Sequence, residues 1–193
     1  MKIVHLIAGI ALSATPSLAE ETAQLDAHEH GVGQLNIAFD ENKIAMELHA
    51  PGADIVGFEY GAKSDADLAA IDGALQTLSD PLGLFSIPEA ASCIVILAHA
   101  ELESENSDHG EEGHDEHDEE GHDDHDEAPS HTEFHAEYLL ECANLTEISA
   151  ITFPYFEIFP NALELEVQVI SDKGATAFEI ERDLAKLDLR GIF

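Results

Sequence analysis

The chain has 193 residues, and its 41 Asp and Glu residues against 7 Lys and Arg give a formal net charge of −34. This length suits one domain with a single hydrophobic core, so a large multidomain enzyme is excluded. The negative charge would repel phosphate backbones and anionic lipid, which excludes a protein that binds nucleic acid.

The N-terminal segment 1–19 has the pattern of a secretory signal peptide. Met1 and Lys2 give a positive start, residues 3–12 are almost all apolar, and small residues precede a cleavage site after Ala19. An apolar run of this length is too short to cross a bilayer, which needs about 20 residues. We therefore predict an exported chain, 20–193, that forms a single domain and does not insert into the membrane after cleavage.

The first half of the exported chain predicts two strands followed by a helix. Apolar and polar residues alternate over 34–39 and 44–50, and the polar segment 40–43 between them is typical of a hairpin turn. Ser64 and Asp67 form a capping-box pattern that begins a helix. Its apolar residues recur at helical spacing before Asp80 and Pro81 end it: Leu68, Ile71, Leu75 and Leu78.

The second half predicts a similar series of elements. Strands are expected at 93–97 and 134–142, a short helix begun by Asn144 at 145–151, and further strands at 163–169 and near 178–180. The fold class is α+β, with small antiparallel sheets, helices on one face and a possible duplicated ββα unit. No residue motif repeats between the two halves.

The only two cysteines are Cys93 and Cys142. An even number of cysteines in an exported chain favours a disulfide between them. The alternative is a pair of thiolate metal ligands, but the close Cys-x-x-Cys spacing of zinc-thiolate sites is absent.

A long insert separates the second pair of predicted strands. Segment 101–131 contains fifteen carboxylates, six histidines and no Lys or Arg, and the octapeptide at 112–119 recurs at 120–127 with one change. This composition predicts a disordered His/Asp/Glu-rich loop. If the two cysteines bond across antiparallel strands, the insert is the long loop of that hairpin.

The chemistry of the insert favours a transition metal. Imidazole suits Zn²⁺, Ni²⁺ and Cu²⁺, whereas carboxylates alone favour Ca²⁺ or Mg²⁺. Surrounding carboxylates attract cations, and protons compete with the metal for the rings, so binding should weaken between about pH 7 and 5.5. A solubilising tether is the alternative interpretation. The predicted loop ligands are His109, His114, His117, His122 and His125.

A tighter metal site is expected on the folded part. His28 and His30 precede the first strand, and their spacing of two places them on one face in extended chain. The alternation of the following strands puts further imidazoles and acids on polar faces, and three histidines with a carboxylate or water suffice for Zn²⁺. The predicted ligands are His28, His30, His49, His131, Glu133 and His135.

A series of short motifs runs along nearly the whole exported chain. It includes Ala27–Gly31, Pro51, Gly57-Phe58-Glu59, Pro81, Leu84-Phe85, Cys93, the acidic insert, His131-x-Glu133, Tyr138, Cys142, Phe159-Pro160 and Val167-Gln168. Each motif alone is weak, but their order is specific. Together they resemble the ZrgA family of zinc-regulated periplasmic proteins.

The resemblance implies a periplasmic zinc-binding protein that assists high-affinity zinc import. The implied cofactor is Zn²⁺ or another divalent transition metal, and the implied partner is an ABC-type zinc importer or its binding protein. The chain departs from the family at Tyr60, where members often have a histidine. His49 or Glu59 would then take the place of that histidine at the zinc site.

The sequence leaves two alternative interpretations open and disfavours a third. Metal storage or detoxification would use the same ligands. A zinc-dependent hydrolase would need an open coordination position and a general base, and neither a His-Glu-x-x-His helix nor a nucleophile elbow is present in the sequence, so no enzyme is predicted. The acidity could also be an adaptation to salt in a protein with a different role.

Overall fold

The computed structural model describes residues 29–104 and 131–192. The predicted signal peptide, His28 and the five predicted loop ligands lie outside the described residues. Within them, no helix is both long and apolar enough to cross a membrane.

The described residues form eight strands and four helices, which confirms the α+β class. Short 3₁₀ turns lie at Glu89–Ala91, Leu145–Glu147 and Arg182–Leu184. The strands are β1 Val32–Asp40, β2 Lys43–Pro51, β3 Cys93–Ser104, β4 Thr132–Cys142, β5 Ala150–Thr152, β6 Glu164–Ser171, β7 Gly174–Glu181 and β8 Lys186–Asp188. The helices are α1 Gly52–Ile55, α2 Asp65–Leu78, α3 Pro81–Leu84 and α4 Tyr155–Ile158.

Six strands form one sheet in the order β3-β4-β2-β1-β6-β7, and β5 pairs with β8 in a second sheet. The large sheet is not wholly antiparallel as predicted, because β1 and β6 pair in parallel. Parallel strands need a crossover connection. Here the connection from β1 to β6 contains every element from β2 to α4. The duplicated ββα unit remains a prediction.

The core is built by the alternation that the sequence predicted. Odd positions of β1 and even positions of β2 and β4 are buried, while their neighbours form the outer face of the sheet. Helix α2 has the predicted capping box between Ser64 and Asp67. It packs against β3, and the buried Tyr138 hydroxyl on β4 donates a hydrogen bond to the Leu78 carbonyl at its C-terminal end at 2.8 Å.

The helix predicted over 145–151 is absent from the described structure. A single 3₁₀ turn begins there and β5 follows it. The side chain of Asn144 does not cap a helix but donates to the Ala90 carbonyl at 3.3 Å. A helix of two turns without a cap has little intrinsic stability, so pairing with β8 determines the structure of this segment instead.

Strand β3 is longer than predicted and contains a β-bulge. It extends through Ser104, so the first residues of the predicted loop at 101–131 are strand. The register shifts between Val95 and Leu97, which leaves Ile96 without a partner in β4. An extra residue reverses which side chains face outward. The bulge therefore places Glu101 and Glu103 beside the outer face of β4.

The predicted disulfide is present between Cys93 and Cys142, which are opposite each other in the β3–β4 pair. It closes a loop with a sequence separation of 49 residues. The bond lies at one end of the hairpin, and the acidic insert connects the strands at the other end.

Replacing both cysteines by Ser should lower the free energy of unfolding by roughly 2–4 kcal/mol, because the unfolded chain loses the cross-link. Denaturant titration of the metal-free protein measures the change. Stability equal to that of wild type under oxidising conditions would contradict the prediction, and reducing the wild-type protein is the matched control.

Candidate metal centre

The first group of candidate ligands, which we call the rim cluster, consists of His30, Glu59 and His131. One carboxylate oxygen of Glu59 lies 2.9 Å from His30 Nε2 and 2.7 Å from His131 Nδ1. The Glu59 side chain is only 12% exposed, whereas those of His30 and His131 are 67% and 46% exposed. The partly buried Glu59 therefore fixes the cluster to the protein, while the two histidines face solvent.

Backbone contacts place Glu59 next to His131. The backbone N–H of Thr132, the first residue of β4, donates to the Glu59 carbonyl at 3.0 Å. Gly52 makes this approach possible, since a Cβ there would lie 2.6 Å from Thr132 Oγ1 and 2.7 Å from the Phe58 carbonyl oxygen. A larger residue at this position would force the loop containing Glu59 away from β4.

A buried carboxylate positions the turn that contains His30. Gly31 has a φ of +90°, which a glycine adopts without strain. Its N–H donates to Asp54 Oδ1 at 2.8 Å, and its carbonyl accepts from the N–H groups of Leu163 and Glu164. These bonds connect the turn to α1 and to the start of β6.

Asp54 also lies close enough to His30 and Glu59 to interact with both electrostatically. It is only 2% exposed, and its Oδ2 has no hydrogen-bond partner among the described residues. Burial raises the pKa of Asp54, the nearby His30 opposes that increase, and Glu59 adds to it. A buried carboxylate beside an imidazole favours a cation at that position.

The second group, which we call the sheet-face cluster, consists of Glu47, His49 and His135 on the outer face. His49 on β2 is opposite His135 on β4, and their rings stack with centroids 4.5 Å apart. The Nε2 atoms of both rings face one oxygen of Glu47, at 3.5 Å for His49 and 3.4 Å for His135.

Further carboxylates lie on the opposite side of the two rings. His49 Nδ1 is 3.6 Å from Glu133, and His135 Nδ1 is 3.6 Å from Glu103 and 3.9 Å from Glu101. The facing Glu133 carboxylate raises the pKa of His49, against the opposing effect of partial burial. A hydrogen bond from Asn36 lowers the pKa of Glu47.

The structure divides the predicted ligands between the two clusters. His30 and His131 meet in the rim cluster, whereas His49 and His135 meet in the sheet-face cluster with Glu133 beside them. Metal binding by these residues remains a prediction.

Tyr60, where family members often have a histidine, lies next to Glu59 of the rim cluster but is not part of that cluster. That side chain stacks on Phe58 and lies under the Lys63 ammonium group, 5.1 Å from its ring centroid. The neighbouring Glu59 contacts both His30 and His131, and its replacement of the family histidine as a zinc ligand remains a prediction.

Sequence reasoning did not identify Asp54, Glu47, Glu101 and Glu103 as part of the candidate site. The alternation of β2 does predict that Glu47 shares the polar face with His49, but it does not single out Glu47 as a ligand. Asp54 approaches His30 only because α1 follows β2. Glu101 and Glu103 face His135 only because of the bulge in β3. No local sequence pattern indicates either feature.

Comparison with known proteins agrees with the chemistry of these clusters. The model of the family described as ZrgA family zinc uptake protein matches residues 27–189. The chain belongs to the ZrgA family. This is a family of uptake proteins rather than of enzymes, and its name indicates zinc as the relevant metal. A search of curated proteins finds no match.

Asp54→Asn should stabilise the metal-free protein at pH 7 while weakening zinc binding. Because the pKa of Asp54 is raised by burial, the folded state favours the protonated acid, and the ionised form destabilises the fold as pH rises through the folded pKa. Asn removes this penalty and can still accept from Gly31. Thermal melting should show a gain at pH 7 that vanishes below the ordinary Asp pKa of 3.8, and zinc titration should show lower affinity. A variant that melts below wild type at pH 7 would contradict the first expectation.

Glu133→Gln should lower the pKa of His49, because the facing carboxylate raises it. The raised pKa means that His49 stabilises the fold most below the unfolded value of about 6.5, and that this contribution is lost as pH rises through the folded pKa. The variant should therefore be destabilised more at pH 6 than at pH 9. NMR titration of the metal-free protein measures the pKa of His49. Glu137→Gln, four residues further along the same face of β4, is the matched control and should leave that pKa unchanged.

Proposed function

We propose that this protein is a periplasmic zinc-binding protein that captures Zn²⁺ and assists its high-affinity uptake. The observation that supports this most directly is the convergence of two imidazoles on one oxygen of Glu59, in a chain that belongs to a zinc uptake family. Imidazole nitrogen and carboxylate oxygen are both ligands that Zn²⁺ uses in proteins.

The exposure of the rim cluster suits a metal that is cargo. His30 and His131 lie on the solvent side of Glu59, so an ion held by them keeps access to water and to a partner. Structural zinc sites are closed by four protein ligands. The rim cluster presents three ligand atoms within 4.8 Å of one another in the described residues, which leaves a position for water or for a ligand from an acceptor protein.

The acidic insert supplies the capture step in this proposal. Its histidines supply ligand atoms, and its carboxylates concentrate Zn²⁺ near the protein. Weak binding there and tighter binding by the folded clusters would move the ion toward the domain. The proposed receiver is an ABC-type zinc importer or its binding protein.

The test is growth of a bacterium that lacks its own copy of this gene, in medium depleted of zinc by a chelator. Wild-type protein should restore growth and cellular zinc, and it should be found in the periplasm with Glu20 as its first residue. His30→Asn together with His131→Asn should fail to restore growth, because two of three rim ligands are lost.

His99→Asn is the matched control, because His99 is an exposed histidine on β3 outside both clusters. It should restore growth like wild type. Full growth with the double rim variant would contradict the proposal. Protection against excess zinc without any effect under depletion would favour storage instead of uptake.

A further inference from the structure

We propose that the sheet-face cluster is a second zinc site, in which His49 and His135 supply imidazole ligands and Glu47 supplies a carboxylate ligand. This inference goes beyond the proposed function, because it does not require the rim cluster to bind zinc. The site would take a borderline divalent cation, since its ligand atoms are two imidazole nitrogens and one carboxylate oxygen.

The spacing of the ligand atoms is the first argument. The Nε2 atoms lie 3.5 Å and 3.4 Å from Glu47 Oε1, which is longer than the usual hydrogen-bond distance of about 2.7–3.2 Å. Two ligand atoms at about 2.0–2.1 Å from a tetrahedral zinc ion are about 3.3 Å apart. Both imidazole–carboxylate distances therefore match the spacing of ligands around an ion better than that of a hydrogen bond, and all three ligand atoms lie within 4.8 Å of one another.

An unsatisfied atom is the second argument. His135 Nε2 is buried and has no hydrogen-bond partner among the described residues. Buried polar atoms nearly always have a partner, and leaving one without costs about 1–3 kcal/mol. A zinc ion between His135 and Glu47 would satisfy this nitrogen.

The groups behind the ligands are the third argument. A zinc-binding imidazole normally directs its other ring nitrogen toward a carboxylate or carbonyl, which sets the tautomer and the ring orientation. Glu133 faces Nδ1 of His49, and Glu103 faces Nδ1 of His135. The second oxygen of Glu47 accepts a hydrogen bond from Asn36 at 3.2 Å. Each proposed ligand thus has a group that orients it from the far side.

The position of these side chains on four neighbouring strands is the fourth argument. Asn36 is on β1, the ligands are on β2 and β4, and Glu103 is on β3. Rigid sheet positions hold ligands more accurately than the turn and loop that supply His30 and Glu59. We therefore expect zinc at the sheet-face cluster to exchange more slowly than zinc at the rim cluster.

The test counts zinc equivalents that the full chain retains against a chromophoric chelator. His49→Asn with His135→Asn should lose one tightly held equivalent. The double rim variant, His30→Asn with His131→Asn, should retain that equivalent. Failure of the proposed function would appear separately, as a double rim variant that restores growth in zinc-depleted medium like wild type.

Two further measurements keep the test independent of folding defects. Glu47→Gln preserves the size of the side chain and its contact with Asn36, and it should weaken the tight site by at least about tenfold, since removing even an outer carboxylate costs roughly 10–100-fold. Histidine-ring ¹⁵N NMR of the double rim variant should show zinc shifting the Nε2 signals of His49 and His135.

His99→Asn is again the control and should leave the zinc count unchanged. The inference is overturned if the folded His49→Asn, His135→Asn variant retains every tight equivalent. It is equally overturned if zinc leaves both ring signals unmoved.

Discussion

The register between β2 and β4 is the constraint on which both clusters depend. It sets His49 opposite His135 and Pro51 opposite Glu133, and it is fixed by the apolar side chains that the same strands bury. A slip of one residue would exchange the buried and outer faces and would separate the two imidazoles. Core packing on one face therefore determines the ligand geometry on the other.

The two clusters differ in how the chain supports them. The sheet-face cluster uses only side chains of paired strands, whereas the rim cluster joins a turn, a loop and the beginning of β4. The loop is held by the Thr132 N–H bond to Glu59 and by the close approach at Gly52. Support by a few local contacts allows a more adjustable site, which suits the release of zinc in the function proposed above.

The negative charge of the chain continues across the sheet. On β6 and β7, Glu164 is opposite Glu181 and Glu166 is opposite Glu179. Partial burial raises the pKa of Glu164, and the neighbouring carboxylates add to the effect. Like charges directly opposite each other destabilise a sheet. The same carboxylates create a negative potential that attracts cations to this face.

The sequence predicted the strands and the core well, because alternation and capping are local patterns. It also placed His49 and His135 on polar faces and paired the two cysteines. It could not predict the parallel pairing of β1 with β6 or the replacement of the predicted helix at 145–151, since contacts with distant residues decide both. The same holds for Asp54, which reaches Gly31 only through the fold, and for Glu103, which the bulge in β3 turns toward His135.

The bulge in β3 also affects whether a second molecule can pair with this edge of the sheet. Within the described residues β3 is an outermost strand, and Ile94, Val95, Ile96 and Leu97 around the bulge are all well exposed. A flat apolar border of this kind would be a template for self-association into longer sheets. The extra residue interrupts the regular row of backbone donors and acceptors at this point, so a second molecule meets an edge that it cannot extend in register.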